Sequence, residues 1–396
     1  MRIVHTADWH VGRVWKNLQR LDEMKRVLDH LAGFIKRERI DLLLMAGDVF
    51  DAGSPAPEAE RLVFRFFKDI GQANVATVVI AGNHDHPSRV DAWGMLAELV
   101  GVRTVGRPRR GSRGGLIEIP TRGGEKALVG ALPFAPVRTW VTALELAGDE
   151  THAKTRYAEM FRRAVQDVCA GFRPDAVNLL MAHTHLDGAI FGESERRVHL
   201  GDDWAAAPQA LPASAQYVAL GHIHKPQRVE AAPAPTYYAG SPLQLDFGEA
   251  GQRKGFLVIE ARPGLPIRVE EVPYEGGTSL GIHTLTLPQI EQQQAALRQA
   301  GWLRITVPLD EPDPDLLRKV RALVPNAVVV HPELPQRSSN DHPQDRPAAG
   351  AAPIELYRAY FQRDQGGPPD EELEAAFQHL YADVQGESDA TVAVDA

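Results

Sequence analysis

IDLLLMAGDVFD, residues 40–51, joins a short apolar run directly to an acidic turn. The same arrangement recurs along the first 224 residues, where apolar runs end in side chains that commonly bind metal ions. These endings are Asp8-Trp9-His10, Gly47-Asp48-Val49-Phe50-Asp51, Gly82-Asn83-His84-Asp85, Ala182-His183 and Gly221-His222-Ile223-His224. Open α/β sheets place their sites at the carboxyl ends of strands, so we expect these side chains to converge.

The segments between these motifs predict an α/β fold. Apolar residues at helical spacing from Leu18 to Ile35 predict a helix over residues 18–39, and a second helix is expected over 57–71. Residues 2–6, 40–45 and 75–81 are typical of strands, and this βαβαβ alternation favours a largely parallel sheet.

After Gly106 the expected elements are strands at 116–119 and 127–130, a helix at 151–171, and strands at 177–183 and 216–221. Residues 236–247, 255–260 and 266–272 are expected to close a second sheet. The predicted architecture is a two-sheet β-sandwich flanked by helices.

Composition shifts divide the chain into five predicted parts. Residues 1–275 form the main domain, and residues 276–331 form a small α/β domain with strands at 302–307 and 327–330 around a helix at 314–323. The Pro-, Ala- and polar-rich residues 332–353 are typical of a flexible linker. Residues 354–384 predict two short helices with apolar faces, which either dock on a partner or pack back on their own domain. Residues 385–396 are expected to be disordered.

Charge and cysteine content limit the functional classes only weakly. The 396-residue chain carries a formal net charge of −9, which argues against a nucleic-acid partner unless bound cations offset the acidic residues. Five arginines in one Gly-rich stretch are candidate DNA-backbone contacts, with a solvated surface loop as the alternative; they are Arg103, Arg107, Arg109, Arg110 and Arg113.

The single cysteine, Cys169, allows no disulfide within one chain and fits a reducing cytoplasm. A cleaved signal peptide would remove Asp8 and His10, so we do not expect secretion. No apolar run approaches the roughly 20 residues needed to cross a bilayer, so no membrane association is expected.

The ligand types predict two divalent cations. Carboxylate, carboxamide and imidazole groups are present and thiolate is not, a set that suits Mn²⁺ and is also compatible with Mg²⁺, Fe²⁺ or Zn²⁺. Asp48 can bridge both ions. The proposed ligands are Asp8, His10 and His224 for the first ion and Asn83, His183 and His222 for the second. His84 is then the candidate general acid, and Asp85 the candidate residue that orients it.

Each motif alone has a simpler explanation. Gly-Asp-x-x-Asp and Gly-Asn-His-Asp are both compatible with turns, Asp51 could cap the helix that follows it, and Gly-His-x-His could bind a single zinc ion. The metal-site interpretation rests on the whole series, since independent turns have no reason to follow buried strands in this order.

The series of motifs resembles the calcineurin-like metallophosphoesterases. More narrowly, residues 5–10, 47–51, 217–225 and 238–242 resemble the SbcD family, the nuclease subunits of bacterial SbcC–SbcD complexes. The resemblance implies a Mn²⁺-dependent nuclease in DNA double-strand-break repair and recombination, acting as an exonuclease on duplex ends and an endonuclease on single strands and hairpins. It also implies a homodimer within a heterotetramer, a DNA-capping role for residues 276–331, and binding of an SbcC-type ATPase through residues 354–384.

Two histidines, His185 and His86, do not fit the family pattern simply. His185 lies two positions beyond His183 and could replace it as the ligand, although His183 ends the apolar run. His86 has no role in the pattern beyond a surface or substrate contact. The competing functions are a phosphoesterase acting on phosphoproteins or cyclic nucleotides, and a binding scaffold without catalysis.

Overall fold

The computed structural model describes residues 1–121, 123–141, 150–192, 204–335, 352–378 and 380–381. The chain divides into two compact units, Met1–Glu333 and Leu334–Ala396. Within the described residues, no helix has both the length and the apolar character needed to cross a membrane.

The first sheet carries the N-terminal ligand motifs. Its parallel strands are β1 (Arg2–Thr6), β4 (Leu42–Met45), β5 (Ala76–Ile80) and β6 (Val102–Val105). Two antiparallel strands, β13 (Gly255–Glu260) and β14 (Arg268–Pro273), extend it beyond β1. The amphipathic helices α1 (Leu21–Arg37) and α2 (Pro57–Gln72) cover its outer face with a shared apolar core.

The second sheet carries the remaining ligand motifs. Strands β8 (Lys126–Leu132), β9 (Val177–His183), β10 (Tyr217–Gly221) and β12 (Thr236–Tyr238) run parallel. The antiparallel edges are β7 (Leu116–Pro120) and β11 (Gln227–Arg228). The short helix α4 (Val137–Trp140) and the long helix α5 (Glu150–Cys169) precede β9, and α5 packs on the outer face through Phe161 and Val165.

The inner faces of the two sheets form one continuous core. Leu44 and Ile80 of the first sheet belong to the same buried cluster as Val129, Leu179 and Ala219 of the second. This packing confirms the predicted sandwich, and it places the carboxyl ends of β1, β4, β5, β9 and β10 near one another.

Two predicted assignments in this unit were wrong. Residues 255–260 and 266–272 join the first sheet rather than the second, because Val258 pairs with Val4 at the open edge of β1. The first helix begins at Leu21 rather than at residue 18, because β2 (Val14–Trp15) and β3 (Leu18–Gln19) form a hairpin across Lys16 and Asn17. Both turn residues have positive φ, as tight hairpin turns require.

The sequence interpretation also missed several elements. Helix α3 (Pro87–Ala97) and strand β6 follow the Gly-Asn-His-Asp motif. After residue 276, the strands β15 (Leu280–Thr284), β16 (Trp302–Pro308) and β17 (Ala327–Glu333) form a parallel sheet with helices α6 (Leu287–Leu297) and α7 (Leu316–Leu323). Strand β15 and helix α6 were not predicted. These residues share a core of their own, built around Ile290, Ile305 and Val320.

A second cluster joins this small sheet to the main domain. Phe247 and Trp15 pack against Leu280 and Trp302. Next to them, the buried Glu23 accepts hydrogen bonds from the Trp302 indole at 3.0 Å and from the Thr278 backbone at 3.1 Å. The small sheet is therefore held on the main domain by both apolar and polar contacts.

The unit Leu334–Ala396 contains helix α8 (Pro353–Gln365) and helical turns over residues 371–378. The Tyr357 and Phe377 rings stack at 4.4 Å and 9°, and Arg358 pairs with Glu374 at 2.5 Å, so the two helical segments contact each other. Most of the predicted linker (336–351) and all of the predicted tail (385–396) lie outside the described residues.

Candidate metal centre

The structure brings the predicted ligands together from five strand ends. Each motif follows the carboxyl end of its strand directly, which is why residues far apart along the chain meet. Three overlapping groups have ligand atoms within 4.8 Å of one another: Asp8, His10 and His224; His10, Asp48 and His84; and Asp8, Asp48 and His183. With Asn83 and His222 close by, every predicted ligand lies in this cluster.

The first set of ligands centres on two imidazoles. The Nε2 atoms of His10 and His224 lie 3.1 Å apart, and Asp48 Oδ2 lies 3.6 Å from His10 Nε2. Ligand atoms about 2.1 Å from a common ion are about 3–4 Å from one another, so this spacing fits one cation.

The second set lies on the other side of Asp48. Asn83 Oδ1 is 3.0 Å from both His183 Nε2 and His222 Nδ1, and Asp48 Oδ2 is 3.5 Å from His183 Nε2. The Asp48 carboxylate therefore lies between two separate groups of ligands. This arrangement suggests a dinuclear metal site.

Contacts on the far side of the His183 and His10 rings direct their Nε2 atoms toward the cluster. His183 Nδ1 donates to the Ala46 carbonyl at 2.8 Å, and His10 Nδ1 faces Asp51 at 3.2 Å. When Nδ1 carries the only hydrogen of the ring, as it must once a cation is bound, Nε2 is an acceptor. Acceptor atoms then face one another at about 3 Å, an arrangement that a cation satisfies and a hydrogen bond does not. The donor set thus fits divalent metal ions.

Four of the predicted ligands have strained backbones. Asp8, His10, Asp48 and His222 have φ angles of 52°, 46°, 53° and 102°, in the left-handed region that non-glycine residues rarely adopt. Each such residue costs on the order of 1–3 kcal/mol. Strain at four positions of one site is typical of functional residues held by the surrounding fold.

Two glycines allow the close approach of the ligand loops. A Cβ atom on Gly47 would lie 2.3 Å from the His183 ring, and one on Gly82 would lie 2.1 Å from the Asp48 carboxylate. Any side chain at either position would displace a ligand. The glycines of the Gly-Asp and Gly-Asn motifs therefore belong to the architecture of the site.

His84 lies beside the predicted ligands, and the Asp51 carbonyl orients its ring, a role that the sequence had assigned to Asp85. Its ring Nδ1 bonds the Asp51 carbonyl at 2.8 Å, and its backbone N–H donates to Asp48. The predicted orienting residue, Asp85, does not bond the His84 ring. Its buried carboxylate instead accepts backbone N–H groups of Val49, Phe50 and Gly82 at 2.9–3.1 Å and so ties two ligand loops together.

The structure also places the residues that the sequence left open. His183 lies in the cluster, whereas His185 packs edge-on against Phe191 at 4.5 Å. His86 is exposed at the start of α3. Asp51 does not cap a helix, since α2 begins after Ala56 without a side-chain cap.

Three of the five arginines have side-chain partners within the chain. Arg103 pairs with Glu98, Arg109 with Asp91, and Arg107 donates to Ser88. A DNA-binding role for the five arginines stays a prediction.

Sequence reasoning missed Glu249 and Lys254, which lie behind His224, and it gave Asp51 no contact with His10 or His84. Glu249 faces His224 Nδ1 at 3.5 Å and pairs with Lys254 at 2.7 Å. Burial opposes its charge, but His224 and Lys254 lower the pKa of Glu249 to about 2. No local pattern in the sequence marks Glu249.

Protons compete with metal ions at this site. Burial disfavours the charged form of His183, but the adjacent Asp48 carboxylate outweighs it and raises the pKa of His183 to about 9. At neutral pH the metal-free ring therefore carries a proton on the atom that would bind a cation.

We predict that metal binding releases about one proton at pH 7.5. Affinity should rise about tenfold per pH unit up to pH 9, because the proton must leave before the ion binds. Calorimetry in two buffers of different ionisation enthalpy measures the release, and the His183→Gln variant, which has no such proton, is the control. Identical heats in both buffers for the unmodified chain would contradict the prediction.

Comparison with known proteins agrees with this geometry. Residues 1–226 match the calcineurin-like phosphoesterase family, more than half of the chain. The chain belongs to that family. Within it, the chain is 31% identical over 395 residues to the SbcD subunit of the nuclease SbcCD from Bacillus subtilis, covering 98% of this chain and 99% of the relative. The SbcD subunit from Escherichia coli K12 is 30% identical over 335 residues, covering 82% of each chain.

The chain is thus an SbcD-family member, and the predicted metal-dependent phosphodiesterase is confirmed at that level. Among solved structures, a dimetal phosphatase from Danio rerio is 11% identical with a TM-score of 0.38, covering 69% of this chain and 99% of that one.

Proposed function

We propose that this SbcD-family chain is the catalytic subunit of a DNA nuclease that uses two Mn²⁺ ions. The observation that carries the proposal is the Asp48 carboxylate lying between two ligand groups, 3.6 Å from His10 and 3.5 Å from His183. In this proposal one ion is held by Asp8, His10, Asp48 and His224, and the other by Asp48, Asn83, His183 and His222.

Two bound cations would lower the pKa of a water between them and neutralise charge on the phosphoryl oxygens. The protein contributes the fixed position of these charges, because the strained ligand backbones and the buried Asp85 hold the loops in place. The site is preorganised for a phosphodiester in this way.

His84 supplies the proton for the leaving group. Its Nδ1 hydrogen bonds the Asp51 carbonyl, which directs Nε2 away from the loop. Protonated His84 then donates from Nε2 to the departing alkoxide oxygen of the DNA strand.

DNA as substrate rests on the nuclease names of relatives that span most or all of the chain. The test is cleavage of linear duplex and hairpin DNA with Mn²⁺, compared with p-nitrophenyl phosphate esters. We expect DNA cleavage that depends on Mn²⁺. Hydrolysis of the esters without any DNA cleavage would favour a phosphoesterase of other specificity.

We also propose that the chain forms a homodimer in the cytoplasm. The end of α3 and the turn after it expose Met95, Leu96 and Leu99, at 78%, 74% and 83%. Monomeric proteins seldom expose adjacent large apolar side chains in this way, which supports a protein contact there.

The proposed partner of the C-terminal helices is an SbcC-type ATPase. Leu356 and Tyr360 of α8 are about half exposed, and Leu380 is 66% exposed, so the two helical segments retain an apolar surface of their own. The relatives' designation as part of SbcCD supports a complex of this kind.

Deleting residues 354–396 should abolish binding of the ATPase partner and leave Mn²⁺ binding unchanged, because every proposed ligand lies in Met1–Glu333. Co-purification with the partner and calorimetry measure the two effects. A Leu356→Glu/Tyr360→Glu variant should reproduce the loss, and Glu372→Lys, on an exposed polar position, should not. Retention of the partner by the truncated chain would place the docking element elsewhere.

A further inference from the structure

A buried ion pair lies directly behind one of the proposed ligands. Glu249 is fully buried and Lys254 is 8% exposed, and their charged atoms lie 2.7 Å apart. A buried pair of this kind is weak evidence for stability, since apolar residues of similar size often serve as well. We therefore looked to the neighbours of the Glu249–Lys254 pair for a role other than stabilising the fold.

Both members of the pair contact His224. Glu249 Oε1 lies 3.5 Å from the ring Nδ1, and Lys254 Nζ donates to the His224 carbonyl at 2.9 Å. Glu249 thus contacts the imidazole ring of His224, and Lys254 holds its backbone carbonyl. The opposite ring atom, Nε2, faces His10 within the first ligand group.

We propose that Glu249 is a positioning residue for metal binding, and that Lys254 holds it in place against His224. This inference rests on the two-ion site proposed above. A carboxylate on the outer nitrogen of a ligating imidazole fixes its tautomer and makes it a stronger electron donor. The pair therefore acts on the ion bound by Asp8, His10 and His224.

The loop that carries Glu249 is fixed from a second direction. Leu245 N–H donates to Glu249 Oε2 at 3.0 Å, and Phe247, two residues before Glu249, is buried against Leu280 and Trp302 of the small sheet. Gln244 in the same loop accepts the Leu280 N–H at 2.7 Å. The small sheet thereby supports the loop that positions His224.

Removing one charge alone would leave the other buried and unpaired, and that variant could fail to fold. The decisive variant is therefore Glu249→Leu/Lys254→Met, which replaces the pair with apolar groups of similar size. Its matched control is Glu118→Leu/Lys126→Met, the same change at a 2.6 Å ion pair outside the ligand cluster. Circular dichroism establishes that each variant is folded.

The readout is the Mn²⁺ isotherm together with the electron paramagnetic resonance spectrum of the loaded protein. We expect two ions with a spin-coupled spectrum in the unmodified chain and in the control. The Glu249→Leu/Lys254→Met variant should bind one of the two ions about 10- to 100-fold more weakly, which is the range for loss of a residue that supports a metal ligand. With two equivalents of Mn²⁺ it should show the signal of a mononuclear site. Glu249→Gln/Lys254→Met removes both charges but keeps an oxygen that accepts from His224, and it should recover part of the affinity.

Unchanged affinities for both ions in the double variant would overturn this inference and leave the proposed function standing. Equal weakening of both ions would also overturn it, because the pair would then act on the fold rather than on His224. Binding of fewer than two ions by the unmodified chain would overturn both proposals.

Discussion

Replacing Asp48 by alanine should remove both metal ions and abolish cleavage. Asp48 Oδ2 lies within 3.6 Å of ligand nitrogens on each side, so its loss takes one ligand from both ions. Metal ions contribute several kcal/mol of transition-state stabilisation, and cleavage should fall by at least about 10³-fold.

Two measurements decide this prediction. Metal analysis after dialysis should give two ions per unmodified chain and fewer than one in Asp48→Ala, and Asp48→Asn should behave similarly because it lacks the bridging charge. Asp29→Asn, at an exposed helical position, is the control and should retain full activity. Because Asp48 also accepts the His84 N–H, circular dichroism must show that the variant is folded. Two tightly bound ions in folded Asp48→Ala would refute the bridging role.

Replacing His84 by glutamine should keep both ions and reduce turnover by about 10²–10⁴-fold, the range for loss of a general acid. The His84 ring hydrogen bonds the Asp51 carbonyl and packs edge-on against His10 at 4.6 Å, and the proposed ligand His183 keeps its own bond to the Ala46 carbonyl. The metal site should therefore survive the change, in contrast to Asp48→Ala.

The leaving group offers a sharper test of the acid role. Bis-p-nitrophenyl phosphate releases an anion that needs no proton, so His84→Gln should slow its hydrolysis far less than that of DNA. His86→Gln, the same substitution two residues away on an exposed side chain, should change neither rate more than a few-fold. Equal losses on both substrates would assign His84 to substrate or metal binding instead.

The sequence predicted well which residues lie together in the cluster, because each motif is local. A buried strand followed by Gly-Asp or Gly-Asn-His-Asp indicates both the candidate ligand and its position at the end of that strand. The αL backbone of Asp48 and the close approach of Gly82 agree with that pattern.

The parts that depend on non-local contacts could not be predicted. Whether β13 joins the first or second sheet depends on its register with Val4, at the opposite end of the main domain's sequence. The support of His224 by Glu249 depends on a loop packed against Leu280, and nothing near Glu249 in the sequence indicates a metal. Asp85 shows the same limit, since adjacency to His84 suggested an orienting role that the Asp51 carbonyl fills.

The central claim is that two cations share the Asp48 carboxylate, and anomalous diffraction from crystals grown with Mn²⁺ tests it most directly. We predict two manganese peaks about 3.5–4 Å apart on either side of Asp48, one next to His10 and His224 and the other next to Asn83 and His183. A single peak, or two peaks without Asp48 between them, would contradict the account.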